Sequence, residues 1–467
     1  MRFYGDDIKT YVVKELNKNL LAKVDVKEVE FKLLTSFPLA SVEFSEVVIY
    51  SSLNENDTML HAQKLACHFS LKDLYEKKYE LKEIIIQKGA CNLEIDKIGN
   101  ENYIFWKSTD SASTSFKVNL QEVDIRDFSF SYTDHSIDFN TSFFIEKTLS
   151  KGSFTDTEIA LEINTKLLDA NLTSGSFNAF KNRTLFINAT GTIDQVADIL
   201  VLNDVNIGVE ALNFQVSGKV DYKEETNLDL SITSKDADLE KALSILPESI
   251  RKDLTDYSIK GEASIKGSIS GNASAISNPS YQFNFSINNG SFKKKNSTII
   301  FSESFLKGKI SNGAENKLSS TLIEAEQFET KLNQSSIKGS LSIKNLLKPE
   351  YIFNGSVDFL LKDALDFFEA KDIENGNGKI QSNLSLTGKL EQFEKYTLAD
   401  FKKSTLKGQV NLENVSLDLP KESLQISNTN GLLTLQNSNF ELDKFSSSIN
   451  ENICLLYTSD AADEEDS

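Results

Sequence analysis

Val118-Asn119-Leu120-Gln121-Glu122-Val123-Asp124-Ile125-Arg126-Asp127-Phe128-Ser129-Phe130-Ser131-Tyr132 decides how this chain folds. Apolar and polar residues alternate along it, the period of a strand with one greasy and one wet face. At Gln121-Glu122 and again at Arg126-Asp127 two polar residues stand together. A bulge or tight turn at those places would return the apolar side chains to their original face.

The alternation spreads outward in both directions. Downstream it returns in Ile159, Leu161 and Ile163, in Leu228, Leu230 and Ile232, and in Tyr281, Phe283, Phe285 and Ile287. Leu384 and Leu386, Val410 and Leu412, and Val415, Leu417 and Leu419 carry it towards the end. Upstream it is present in Val24, Val26, Val29 and Phe31, in Val42, Phe44, Val47 and Ile49, and from Leu81 to Ile95. Asn289-Gly290, Asn312-Gly313, Asn375-Gly376 and Asn377-Gly378 read as hairpin turns between such runs, so the sequence predicts an antiparallel meander.

Helical spacing is rare. Ile8, Val12, Leu16 and Leu20 behind Asp6 predict an amphipathic helix over residues 6–21. Shorter helices are expected at 71–77, at 239–254 with Pro247 kinking or dividing it, and at 361–370. Residues 107–115, polar and Ser/Thr-rich, read as a linker between an N-terminal helix-plus-β region (1–106) and a repetitive β-rich region (116–453). Residues 454–467 are foreign to the Asn/Ser/Phe texture before them. Back-translated, they match a transposon-end sequencing adapter, which predicts a non-native tail.

A one-sided strand must bury its apolar face against something. Helices are too few for the task, and sandwich domains should be separated by linkers that are not seen after Ser115. The expected fold is therefore mainly β: an elongated, twisted antiparallel sheet curled into an apolar groove, with the N-terminal helix and a few short ones. Roughly two dozen strands at about 4.8 Å spacing would reach about 115 Å. Phe128, Phe130, Tyr132, Phe283, Phe285, Leu384 and Leu386 are expected to face the groove. The competing reading of the same residues is closed core.

Composition excludes several classes. A net charge of −19 without a basic stripe excludes nucleic acid as a partner. No run of about eighteen apolar residues spans a bilayer, and no signal-peptide core follows Met1. Three cysteines cannot build a disulfide framework, although a Cys67–Cys91 bridge is left open. His61, Cys67 and His68 lack a second ligand pair at finger-like spacing and read as a small buried thiol beside surface imidazoles. Asn375-Gly376-Asn377-Gly378-Lys379 lacks the spacing of a phosphate loop. Neither a nucleophile elbow nor a convergent acid pair is present, so no enzyme, metal or cofactor is expected. Sequons at Asn140, Asn171, Asn188, Asn284, Asn296 and Asn354 support the rival class, an extended β scaffold or adhesin that binds through its outer surface.

Leu16-Asn17-Lys18-Asn19-Leu20-Leu21-Ala22-Lys23-Val24, followed by Phe37-Pro38 and the strand Val42 to Ile49, resembles the N-terminal region of the bacterial AsmA family. The stretch from Leu65 through Leu71-Lys72-Asp73-Leu74 to Ile84-Ile85-Ile86, Asn102-Tyr103 and Trp106 is similar to that family's strand, short helix and strand. Tyr132-Thr133-Asp134, Leu246-Pro247 before Tyr257 and Gly261, and Gly408 to Pro420 continue the likeness to about Ile453. It lies in the order of short motifs rather than in any one of them. The resemblance implies a β-rich periplasmic body anchored in the inner membrane by an N-terminal helix, non-enzymatic and without cofactor. It implies phospholipid as ligand, a role in lipid transport or outer-membrane biogenesis, and outer-membrane assembly proteins as partners. On this reading the chain is a fragment that lacks the anchor and a C-terminal part, and is soluble as written.

Overall fold

A computed structural model describes residues 22–456 apart from 77–78, 104–115, 156, 176, 211, 224, 245–250, 253, 275, 296–299, 369, 371, 392–399, 401–402 and 438. The helix expected over 6–21 and the linker expected over 107–115 lie outside the described residues. So does the expected tail beyond Leu456, while residues 454–456 complete the last strand.

The protein is mainly β, and it divides into two compact units. The first comprises Met1–Ser234 with Ile245–Pro247 and Ile269–Pro279; the second comprises Lys235–Ser244, Glu248–Ser268 and Ser280–Ser467. Residues on both sides of the expected linker belong to the first unit.

The first unit holds β1 (Val24–Ser36), β2 (Leu39–Tyr50), β3 (Thr58–Ser70), β4 (Tyr79–Ile95), β5 (Phe116–Asp134), β6 (Phe139–Phe154), β7 (Glu158–Ser174), β8 (Phe177–Asp194), β9 (Ile199–Val209), β10 (Leu212–Asp221) and β11 (Thr226–Asp238), the last as far as Ser234. Each pairs with its neighbour in sequence, and every junction but one is antiparallel. The exception corrects the expectation of a purely antiparallel sheet: β4 and β5 run parallel, from Tyr79 opposite Phe116 to Ile95 opposite Asp134. Parallel neighbours need a crossover of a dozen residues or more. The polar stretch read as a linker lies within that connection.

The second unit holds β12 (Tyr257–Ala273, through Ser268), β13 (Ser280–Lys294), β14 (Ile300–Ser311), β15 (Leu322–Leu332), β16 (Ser335–Lys344), β17 (Glu350–Leu360), β18 (Glu374–Lys389), β19 (Thr405–Leu419), β20 (Leu424–Gln436), β21 (Asn439–Ile449) and β22 (Asn452–Leu456). From β13 to β22 the pairing is again sequential and antiparallel throughout.

Among the described residues three short α-helices interrupt the strands where periodicity placed them: α1 (Leu71–Tyr75), α2 (Leu239–Ser244) and α3 (Leu361–Phe368). The expected continuation of α2 past Pro247 falls mostly outside the described residues. Helix α3 is fastened by its first turn, where the buried Asp363 accepts hydrogen bonds from Asn333 Nδ2 at 3.0 Å and Ser335 Oγ at 2.7 Å.

Three of the four predicted hairpin turns are bulges instead. Asn289-Gly290 sits inside β13 with Asn289 at φ 50°, and Asn375-Gly376-Asn377-Gly378 sits inside β18 with Asn375 at φ 52°. Asparagine tolerates the left-handed region, and a bulge uses that tolerance as readily as a turn does. Asn312-Gly313 does join two strands, β14 and β15, with Gly313 at φ 69°.

Candidate functional site

The apolar faces line up across the strands. In the first unit Val26, Val47, Ala62, Gly89, Phe128, Ile145, Leu167, Leu185, Val209 and Leu212 stand opposite one another from β1 to β10 without a polar residue among them. Most of this row is buried, Phe128 at 4% exposure and Val209 at 0%. A second row on the same face runs from Val29 and Phe44 through Leu65, Ile86, Ile125, Thr148 and Thr165 to Ile187 and Ile207. Its two hydroxyls hydrogen-bond each other and so ask nothing further of their surroundings. A third row, on the opposite flank of the first, joins Val24, Ile49, Leu60, Cys91, Phe130 and Phe143.

Most of the middle row is buried; on the flanks Val24, Val29, Thr148 and Thr165 are buried as well, whereas Phe44, Leu65, Ile86, Ile125, Leu60 and Phe130 are half-buried. A core sealed between two layers would bury these too.

The polar pairs noticed in β5 recur at the same line on neighbouring strands. Lys27-Glu28, Ser45-Glu46, Gln63-Lys64, Gln87-Lys88, Arg126-Asp127 and Glu146-Lys147 separate the first two rows from β1 to β6. Glu46, Lys88 and Asp127 take φ of 47°, 54° and 51°, the left-handed kink of a bulge. Each kink lets a strand skip one extra residue and bring its next apolar side chain back to the same face.

The second unit repeats the arrangement. Phe285, Gly308, Ala325, Leu341, Phe353, Leu386 and Leu406 form one row from β13 to β19. Ile287, Leu306, Phe328, Gly339, Gly355, Leu384 and Gly408 form the next. Of the seven residues expected on the groove, Phe128 is buried in the middle row of the first unit, while Phe130, Tyr132, Phe283, Phe285, Leu384 and Leu386 are half-buried. The rings of Phe128, Phe283 and Phe285 lie over Gly89, Gly267 and Gly308 of the adjacent strand, so closely that a side chain on any of these glycines would occupy the ring's place. Rings laid flat in this way cover backbone and keep the face low.

Sequence reasoning missed an apolar hollow of the second unit. A cavity of about 540 Å³ is lined by Tyr257, Ile259, Ile287, Phe292, Leu306 and Phe328 of the strands and by Leu239 and Leu243 of α2 together with Leu254. Phe292 stacks on Phe301 at 4.3 Å and meets Tyr257 edge-on at 6.4 Å. A usable signal was present: a short helix with Leu239 and Leu243 one turn apart, set in a run of strands.

The opposite faces are wet and charged. Glu43 accepts from Lys32 at 2.7 Å and Lys64 at 3.1 Å. Burial alone would raise its carboxyl, but the two ammonium groups outweigh it and hold the pKa below the ordinary carboxylate value. The histidines each meet a glutamate of a nearby strand: His61 and Glu46 at 3.0 Å, His68 and Glu83 at 2.6 Å, His135 and Glu94 at 3.0 Å. His68 is buried rather than a surface imidazole. Cys67, opposite Val42 and Ile84, points to the apolar face, away from both imidazoles, as strand alternation requires. Among the described residues no three of His, Cys, Asp and Glu gather as a metal would need. Cys67 and Cys91 are free thiols. Cys67 faces Ile84, seven positions before Cys91 on β4, which separates the two sulfurs by about 23 Å and rules out the bridge left open above.

No protein-family model, curated protein or solved structure matches the chain. Among the described residues no helix is long and apolar enough to cross a membrane.

Proposed function

We propose that this chain is a non-enzymatic envelope protein that shields phospholipid acyl chains on its apolar β-faces, which act as grooves, in support of lipid transport or outer-membrane biogenesis. The observation that carries the reading is the burial profile: a middle row free of polar residues and mostly buried, beside largely apolar flanking rows that are in part half-open. At about 0.8 kcal/mol per methylene, a chain of roughly sixteen carbons costs about 12 kcal/mol to hold in water. A long apolar face removes most of that cost while the headgroup stays in solvent, and rows in register offer equivalent resting places strand after strand. No bond is made or broken. The resemblance to the AsmA family supplies the setting, the periplasm of a bacterial envelope with an inner-membrane anchor and outer-membrane assembly proteins as partners.

The purified protein is expected to carry phospholipid detectable by native mass spectrometry and by lipid extraction. A charge planted on the half-open flank, Ile86→Asp or Leu341→Asp, should lower the bound lipid severalfold while the far-ultraviolet circular dichroism stays β. Protein that emerges lipid-free and takes up none from phospholipid vesicles would end the reading and favour a scaffold that binds through its polar face.

A further inference from the structure

We infer that the cavity lined by α2 is a discrete binding chamber for a single unbranched acyl chain, entered by the methyl end, that reads the tail and takes no part in recognising the head. The inference rests on the lipid-shielding reading and adds to it a fixed station with a preferred chain length. Three observations carry it.

The first is chemistry. Leucine, isoleucine, tyrosine and phenylalanine side chains make nearly the whole lining, and among the described residues its only charged one is Glu329. An ionised carboxylate or phosphate drawn inside would find no cation on these walls and would meet an acid, a costly arrangement. Ser304 Oγ and Thr330 Oγ1, two of the four hydroxyls on the lining residues beside those of Tyr257 and Ser291, lie 2.7 Å apart and satisfy each other. An apolar chamber of this kind does not hold water well.

The second is size. At about 30 Å³ for each water-sized group, 540 Å³ has room for about eighteen such groups, which is one long acyl chain and not two.

The third is construction. Gly290 of β13 faces Gly261 of β12, close enough that a Cβ on Gly261 would stand 2.9 Å from the Gly290 Cα. Asn289, at φ 50°, is the bulge that keeps Gly290 in the lining after Ile287. Leu239 and Leu243 of α2 line the same hollow as these glycine-bearing strands.

Photo-crosslinking of the full chain tests this with two probes, a phosphatidylcholine bearing a diazirine near the methyl end of one sixteen-carbon tail, and the free diazirine fatty acid of the same length. Labelled peptides carrying Leu243, Ile287 or Phe292 are expected. Labelling by the phospholipid identifies a membrane lipid as the source, and labelling by the fatty acid alone identifies a free acid; both support the chamber. Leu243→Trp, which fills it, should lower this labelling at least tenfold and leave labelling of Phe128 peptides unchanged. Leu243→Ala, which enlarges it without threatening the fold, should move the preferred chain to a longer one. Labelling of other apolar rows but not of the chamber, or chamber labelling indifferent to both substitutions, overturns this inference while leaving the lipid-shielding reading intact. No labelling anywhere overturns both.

Discussion

At the scale of single residues, environment separates groups that composition treats alike. Cys67 and Cys91 sit on the apolar face, and burial pushes each thiol up to about 11. At pH 8 an ordinary thiol with pKa near 8.5 is about one quarter ionised, whereas these are ionised to about one part in a thousand. Alkylation of both at pH 8 is therefore expected to run about a hundredfold slower in the folded protein than in urea, measured by mass spectrometry of the modified peptides. The sign for stability follows. The unfolded chain ionises first, so the contribution of these thiols is complete below about 8.5 and is lost as pH rises from there towards 11. The denaturation midpoint should fall over that interval, and a Cys67→Ala, Cys91→Ala double variant should lose less. The face on which these thiols lie was legible from alternation alone, as was that of Phe128, Phe130 and Tyr132. Which of the three aromatics would be fully buried was not, because burial is set by position across the row and not along the strand.

At the scale of elements, the kink is the device that needs testing. Asp127 holds φ 51° in the middle of β5, a conformation that costs a β-branched residue about 1–2 kcal/mol and costs glycine almost nothing. Asp127→Val should lower stability by about that amount, and Asp127→Gly should leave it within about 0.5 kcal/mol, both read from urea denaturation. Equal losses from the two would mean that the aspartate side chain, not the backbone, is what the position requires. The interruption at Arg126-Asp127 was readable as a bulge or turn because an apolar strand follows at once. Asn289-Gly290 was misread because the same dipeptide serves a hairpin, and only pairing with β14 on both sides of it tells the two apart. The parallel junction of β4 with β5 was equally hidden, since strand direction leaves no mark on a period of two.

At the scale of the whole molecule, the order of pairing governs how disturbance travels. Among the described strands each leans on its neighbours in sequence, so within a unit stability is close to a sum of adjacent interfaces. Val415→Ala, a truncation at a buried position of β19, should cost about 2 kcal/mol. Hydrogen exchange should quicken in β18, β19 and β20 and change little in β13 and β14. Uniform loss of protection across the second unit would show a cooperativity that this pairing does not explain. Much of this organisation was open to sequence reasoning: strands without breaks, few helices, one greasy side. The hollow that α2 lines together with strands of its unit was not, because a helix of six residues announces its existence and not what it lines.

Sequential pairing also bears on how such a protein changes over generations. Within an antiparallel stretch such as β13 to β22, a hairpin removed or duplicated leaves the strands on either side antiparallel still, with their greasy sides in step. Gain or loss of a single strand would reverse the direction of everything after it. Tandem copying two strands at a time is thus the cheap route to a larger or smaller body, adding about 10 Å with each copy. Related chains should accordingly differ by even numbers of strands wherever the ladder is antiparallel.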